Sequence, residues 1–128
     1  MSLIDTLLSA SDDQLSLKKG IMLEIPRLTA ELGEEFNIEV LPLSDSQVEY
    51  LVEICKNQNE FRTNAIVESV RIDGEKLSRK DIMDKFGVYS AKEVVPKLFD
   101  AGEIRGIYDY INKISGFSIE AVKEVKKN

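Results

Sequence analysis

The chain has 128 residues, of which 43% are hydrophobic and 31% charged, with a net charge of −6. That is the composition of a folded domain with a core of its own, and it excludes a disordered chain. The charge is lopsided, since residues 1–64 carry 12 acids against 5 bases, net −7, and residues 65–128 carry 11 against 12, net +1. An acidic half of this size speaks against nucleic acid as a partner, because that affinity rests on basic patches, and favours a basic protein.

In chain order, the first element is a short helix over MSLIDTLLSAS with Leu3, Leu7 and Leu8 on one side. The polar stretch SASDDQLS after it is expected to act as a link, and together these make up residues 1–18. The segment lacks a basic region and Asp5 breaks its apolar run, so it reads as neither signal peptide nor anchor. No apolar run has the length a bilayer requires.

Residues 21–28, IMLEIPRL, alternate with Ile21, Leu23 and Ile25 on one side, which is the period of a strand with one buried face. Pro26 cannot donate to a ladder, so this strand is an edge or ends there. A Gly-containing connection, TAELGEE, leads to FNIEVLPL, where Phe36, Ile38 and Val40 point inward. The two runs predict an antiparallel β-hairpin over 20–43.

From Ser44 the period becomes helical, with Val48, Leu51, Val52 and Cys55 on one stripe and a capping box at its start, Ser44 with Gln47 or Ser46 with Glu49. This helix is expected to run to about Asn57. Residues 61–72 suit a helix through Phe61, Ala65, Ile66, Val67 and Val70, while VRI alone suits a strand. Asp73-Gly74 marks a turn. Ser78 with Asp81 predicts the start of a short helix, with Leu77 and Ile82 as a hydrophobic staple, Ile82, Met83 and Phe86 inward and Gly87 as its stop. Ser90 with Glu93 boxes the next helix, which Pro96 is expected to kink or shorten. Asp100 with Glu103 boxes a helix that Gly116 closes, and Ser118 caps a final one, IEAVKEVKK. The fold class is therefore α+β, a mainly α-helical single domain with an N-terminal antiparallel β-hairpin and a helical part over 44–128.

The available chemistry is sparse. The sequence has no histidine and no tryptophan, so the commonest general base and metal ligand is missing and a Ser–His or Cys–His nucleophile cannot be assembled. Its 7 glycines form no phosphate-binding loop. The single cysteine, Cys55, leaves no internal disulfide and fits a reducing cytoplasm; its place on an apolar stripe suits a buried small hydrophobe rather than a reactive thiol. Asp12-Asp13 and Glu34-Glu35 lack the ligand spacing of a calcium loop, and the lysines at 123, 126 and 127 suit a solvated helix end. No catalytic, cofactor-binding or metal-binding residue is assigned, and no cofactor is expected.

Residues 78–117 have a helix-turn-helix look, but from Phe99 to Phe117 the acids Asp100, Glu103 and Asp109 outnumber Arg105 and Lys113. A DNA reader needs the reverse. Ile104, Ile107, Tyr108, Ile111 and Ile114 make this a core helix, with Arg105, Asp109 and Lys113 as an outer charge ladder. Gly106 costs the helix about 1 kcal/mol relative to Ala, which a closely packed neighbouring backbone would explain. Tyr110, flanking the apolar face, is the residue most expected to touch a partner, with Tyr108 and Phe117 as the further candidates.

Several stretches together resemble a known family. They are SLIDTLLSA, then MLEIPRL and FNIEVLPLSDSQVEYL, then DIMDKFGVYSAKEVVPKLFDAGEIRGIYDYINKISGF, and EAVKEVKKN at the end. The chain resembles, nearly end to end, the small XkdN-like tail assembly chaperones of tailed phages and prophages of Gram-positive hosts. The most specific pieces are KFG, SAKEVV, GEI and ISGF, while Pro96 stands where a helix former would be expected. The resemblance implies a non-catalytic protein of the host cytoplasm that binds the phage tape measure protein before the tail tube forms. It also implies absence from the finished virion and a longer frameshifted form that recruits the tail tube protein. Self-association is left open, and neither nucleic acid nor membrane is an expected partner. A small structural tail or connector protein is the alternative reading, followed by a DNA-binding regulator and, last, an enzyme.

Overall fold

The computed structural model describes residues 2–17, 19–117 and 121–125. Two short helices come first, α1 (Leu3–Ser9) and α2 (Asp12–Leu15), each opened by a capping box, Ser2 with Asp5 and Ser11 with Gln14. The expected link is thus partly helical. Neither helix buries a residue, and Leu3, Leu7 and Leu8 are all exposed. Their apolar side exists, but the domain's own core does not cover it.

Strands β1 (Ile21–Glu24) and β2 (Asn37–Val40) pair antiparallel, with Ile21 opposite Val40 and Leu23 opposite Ile38, as the alternation predicts. What joins them differs from the expectation. The strand stops at Glu24, and Pro26 opens a helix, α3 (Pro26–Leu32), at the position where a fixed φ and a missing N–H cost nothing. Gly33, at φ 72°, ends that helix in the left-handed conformation. Thr29 Oγ1 then accepts the Phe36 N–H at 2.9 Å and directs the chain into β2. Ile25 and Leu28 are buried, and their spacing of three residues is that of one helix face, whereas in a strand they would point to opposite sides.

Helix α4 (Asp45–Ile54) begins at the Ser44–Gln47 box and buries Leu51, with Val48 and Cys55 packed against the core. Val52 is 65% exposed, so its stripe is narrower than the spacing predicts. The ambiguous segment contains both elements: α5 (Gln58–Ser69) runs directly into β3 (Val70–Ile72). Asp73 and Gly74, at φ 51° and 79°, make a two-residue turn of the kind that matches strand twist, and β4 (Glu75–Lys76) returns. All neighbours are antiparallel in the order β1-β2-β3-β4, so the hairpin is half of a four-stranded sheet, and the segment after residue 43 is not purely helical.

Helix α6 (Lys80–Phe86) starts one residue later than the Ser78 signal suggests. Its N-cap is Arg79, which makes no capping hydrogen bond and instead pairs with Asp81 at 3.0 Å. Leu77 is fully buried, Ile82, Met83 and Phe86 pack against the core, and Gly87 ends the helix at φ 66°. Helix α7 (Ala91–Leu98) tolerates Pro96 in its last turn and is only 8 residues long. Glu93 accepts from the backbone N–H groups of Tyr89 and Ser90, and those hydrogen bonds, the Tyr89 one foremost, hold its carboxyl below the usual range. Helix α8 (Ala101–Ile114) opens on the reciprocal Asp100–Glu103 box, and Gly116 at φ 81° turns the chain away. The expected final helix lies partly outside the described residues; within it, residues 121–125 contain no α-helical turn.

The core forms where α5 meets α4, α7 and α8, with α8 also reaching β2. Ile38, Leu51, Ile66, Leu77 and Ile111 are completely buried there.

Candidate partner-binding groove

Helix α8 shows two different faces. Ile107, Ile111 and Ile114 are buried, as the spacing predicts. The outer ladder does not close: Arg105, Asp109 and Lys113 form no ion pair among the described residues. Lys113 instead places its ammonium 5.9 Å from the centre of the Tyr110 ring. Gly106 also departs from expectation. A Cβ built there would meet nothing within 4 Å, so no neighbouring backbone requires the glycine. What its missing side chain leaves is space.

That space belongs to a groove of about 340 Å³ between α8 and the outer strand of the sheet. Its walls are Met22, Leu23 and Ile25 on one side and Gly106, Ile107 and Tyr110 on the other. Met22 is 62% exposed and Tyr110 44%. One end is fixed by Arg27 of α3, whose Nη2 and Nε donate to the Glu103 carboxylate at 2.9 and 3.0 Å. Nη2 also donates to the Leu98 carbonyl at 2.8 Å, so the guanidinium ties α3 to both α7 and α8. The hydrogen bond from Arg27 holds the Glu103 carboxyl below its ordinary value, and the same bond raises Arg27.

The three residues expected to touch a partner are not brought together. Tyr110 lines this groove. Tyr108 is half-buried on another side of α8, with the Arg62 guanidinium 5.6 Å from its ring centre, and lines a separate groove with Cys55 and Phe61. Phe117 is 51% exposed beyond the end of α8. Met22 is not among the residues that the sequence singles out, and Gly106 stands out there for the opposite property. The only signal for Met22 was an apolar residue on the outward phase of an edge strand, and Gly106 was read as a crowded site when it is an open one.

Cys55 caps the end of α4, and desolvation pushes its thiol above the ordinary value, consistent with a small packed side chain. No cluster of metal-ligating side chains occurs among the described residues, and no described helix is long and apolar enough to cross a membrane.

Comparison with known proteins bears on all of this. A family model described as the phage XkdN-like tail assembly chaperone protein, TAC, matches residues 4–126. No curated protein matches the sequence. Among solved structures, the chain is similar to the crystal structure of the protein YqbN, with 15% identity and a TM-score of 0.62. The alignment covers 78% of this chain and 88% of that one, and at such identity it speaks for the fold.

Proposed function

The chain belongs to the phage XkdN-like tail assembly chaperone family, and from that premise we propose that it binds the tape measure protein and holds it while the tail tube assembles. The role is non-catalytic. It is carried out in the host cytoplasm, and the chaperone leaves before the virion is complete. A longer frameshifted form recruiting the tail tube protein belongs to the same reading.

The observation that carries the proposal is the family match over residues 4–126. The surface supports it. Leu3, Ile4, Leu7, Leu8 and Met22 are all more than half exposed, and a holding protein needs apolar surface that its own core leaves uncovered. The acidic first half favours a basic client and keeps so apolar a surface in solution.

Co-expression with the long helical tail protein of the same phage tests the reading. The expected result is co-purification and a gain in that protein's solubility. Failure of both overturns it, as does recovery of this chain in stoichiometric amount from purified particles.

A further inference from the structure

The two edges of the sheet are unequal. Strand β4 has two residues, Glu75 and Lys76, both charged and exposed, which is how natural sheets blunt an edge. Strand β1 has four residues and only one charge. The hydrogen-bond phase shows which of its backbone groups face outward. Ile25 N–H donates to Phe36 O at 2.9 Å, so residues 21, 23 and 25 are those bonded to β2. On the other side of β2, Leu41 N–H donates to Ser69 O at 2.9 Å, which fits the same phase. The N–H and C=O groups of Met22 and Glu24 therefore point away from β2, and both residues line the groove.

Three properties then coincide at one place. There is a backbone edge with no pairing partner among the described residues, an apolar wall made by Leu23, Ile107 and Tyr110, and an open volume over Gly106. The remaining charge is Glu24, which has no ion-pair partner among the described residues, whereas Glu103 is already held by Arg27. We propose that this edge accepts an extended segment of a partner protein as a fifth, outermost strand of the sheet. The segment alternates apolar and polar side chains, seats an apolar one over Gly106 and carries a lysine or arginine beside Glu24. Main-chain hydrogen bonds to Met22 and Glu24 supply its affinity, and the Gly106 space and the Glu24 carboxylate supply its selectivity. The inference rests on the proposed function only for whose segment it is.

The probe is a blocked heptapeptide alternating valine with lysine and threonine, compared with an alanine- and leucine-rich helical peptide of equal charge. Amide exchange and chemical shifts are followed in the full chain. The alternating peptide is expected to slow exchange at Met22 and Glu24 by roughly tenfold or more. Met22→Pro removes an outward N–H that the β1–β2 ladder does not use, and Gly106→Leu fills the open volume. Each is expected to weaken binding by about tenfold, the equivalent of one lost hydrogen bond or seat. The Gly106→Leu melting midpoint should not fall, which separates lost binding from lost folding. Unchanged exchange at Met22 and Glu24, or equal binding of the helical peptide, overturns the proposal. So does concentration-dependent protection of these amides without peptide, because the occupant is then a second copy. If wild-type and both variants co-purify the tape measure protein equally, the edge is not its site while the proposed function stands. If the peptide results hold but that protein does not co-purify, the edge stands and the client is another.

Discussion

Ser69 lies at the junction of α5 and β3, completely buried, and its hydroxyl has no hydrogen-bond partner among the described residues. Its carbonyl is used, accepting from Leu41 N–H, so the backbone position is needed while the side-chain oxygen is not. A buried hydroxyl without a partner keeps its desolvation cost and gains nothing in return. Ser69→Ala is therefore expected to raise stability by about 1 kcal/mol, or the melting midpoint by roughly 4 °C. A thermal melt checks this, and a lower midpoint would mean the hydroxyl is bonded in solution. The caps Ser44 and Ser90 are legible because Gln47 and Glu93 follow them three positions on, whereas nothing around Ser69 in the sequence tells whether its hydroxyl finds a partner.

At the scale of elements, the contact between α3 and α8 has a pH dependence whose sign is set by Glu103. Its carboxyl is held below the unfolded value by the Arg27 hydrogen bond. The stabilisation is thus fully present above the unfolded carboxylate range, about pH 4.3, and is lost as pH falls through the lower folded value. Glu93, held down by the Tyr89 and Ser90 amides, adds to the same acid window. Glu103→Gln is expected to lower the melting midpoint by a few degrees at neutral pH and to flatten the acid limb of the stability curve. Melts from neutral pH to about pH 3 read both effects. The elements that were legible in the sequence are those whose signals agree. Helix α8 has a box at one end, a glycine at the other and isoleucines at helical spacing between. Helix α3 was not legible, because the alternation of Ile21, Leu23 and Ile25 carries the strand reading up to Pro26, and Pro26 reads equally as the end of a strand or the first residue of a helix. The α6 start was misplaced for a related reason: Ser78 offers a cap, but the buried Leu77 and the turn before it fix the chain so that Arg79 takes the position.

Over the whole molecule, the hydrophobic core is built from residues after Gly20, and the leucine-rich helices α1 and α2 contribute no buried residue. Deleting residues 2–15 is expected to change the melting midpoint by no more than about 2 °C, as for surface changes in general. A clear loss of cooperativity on deletion would place these helices against the core in solution. The α+β class and the first hairpin could be read from alternation and turn chemistry. The full sheet could not, since β3 and β4 hold only three and two residues, and β3 pairs with β2, a strand about 30 positions earlier, while β4 pairs with β3. So short a segment has too few residues to show a period, and its place is fixed by long-range pairing. The groove was illegible for the same reason: Met22 and Gly106 are 84 positions apart and meet only once β1 and α8 are in place.

Tyr110 offers an experimental handle on that groove. The sequence contains no tryptophan, and Tyr110 already stands on the groove wall with its ring partly in solvent. An indole placed at this position would be the only one in the chain, and its emission would come from the groove alone. Occupancy of the edge then becomes an optical signal, readable at low concentration and without labelling.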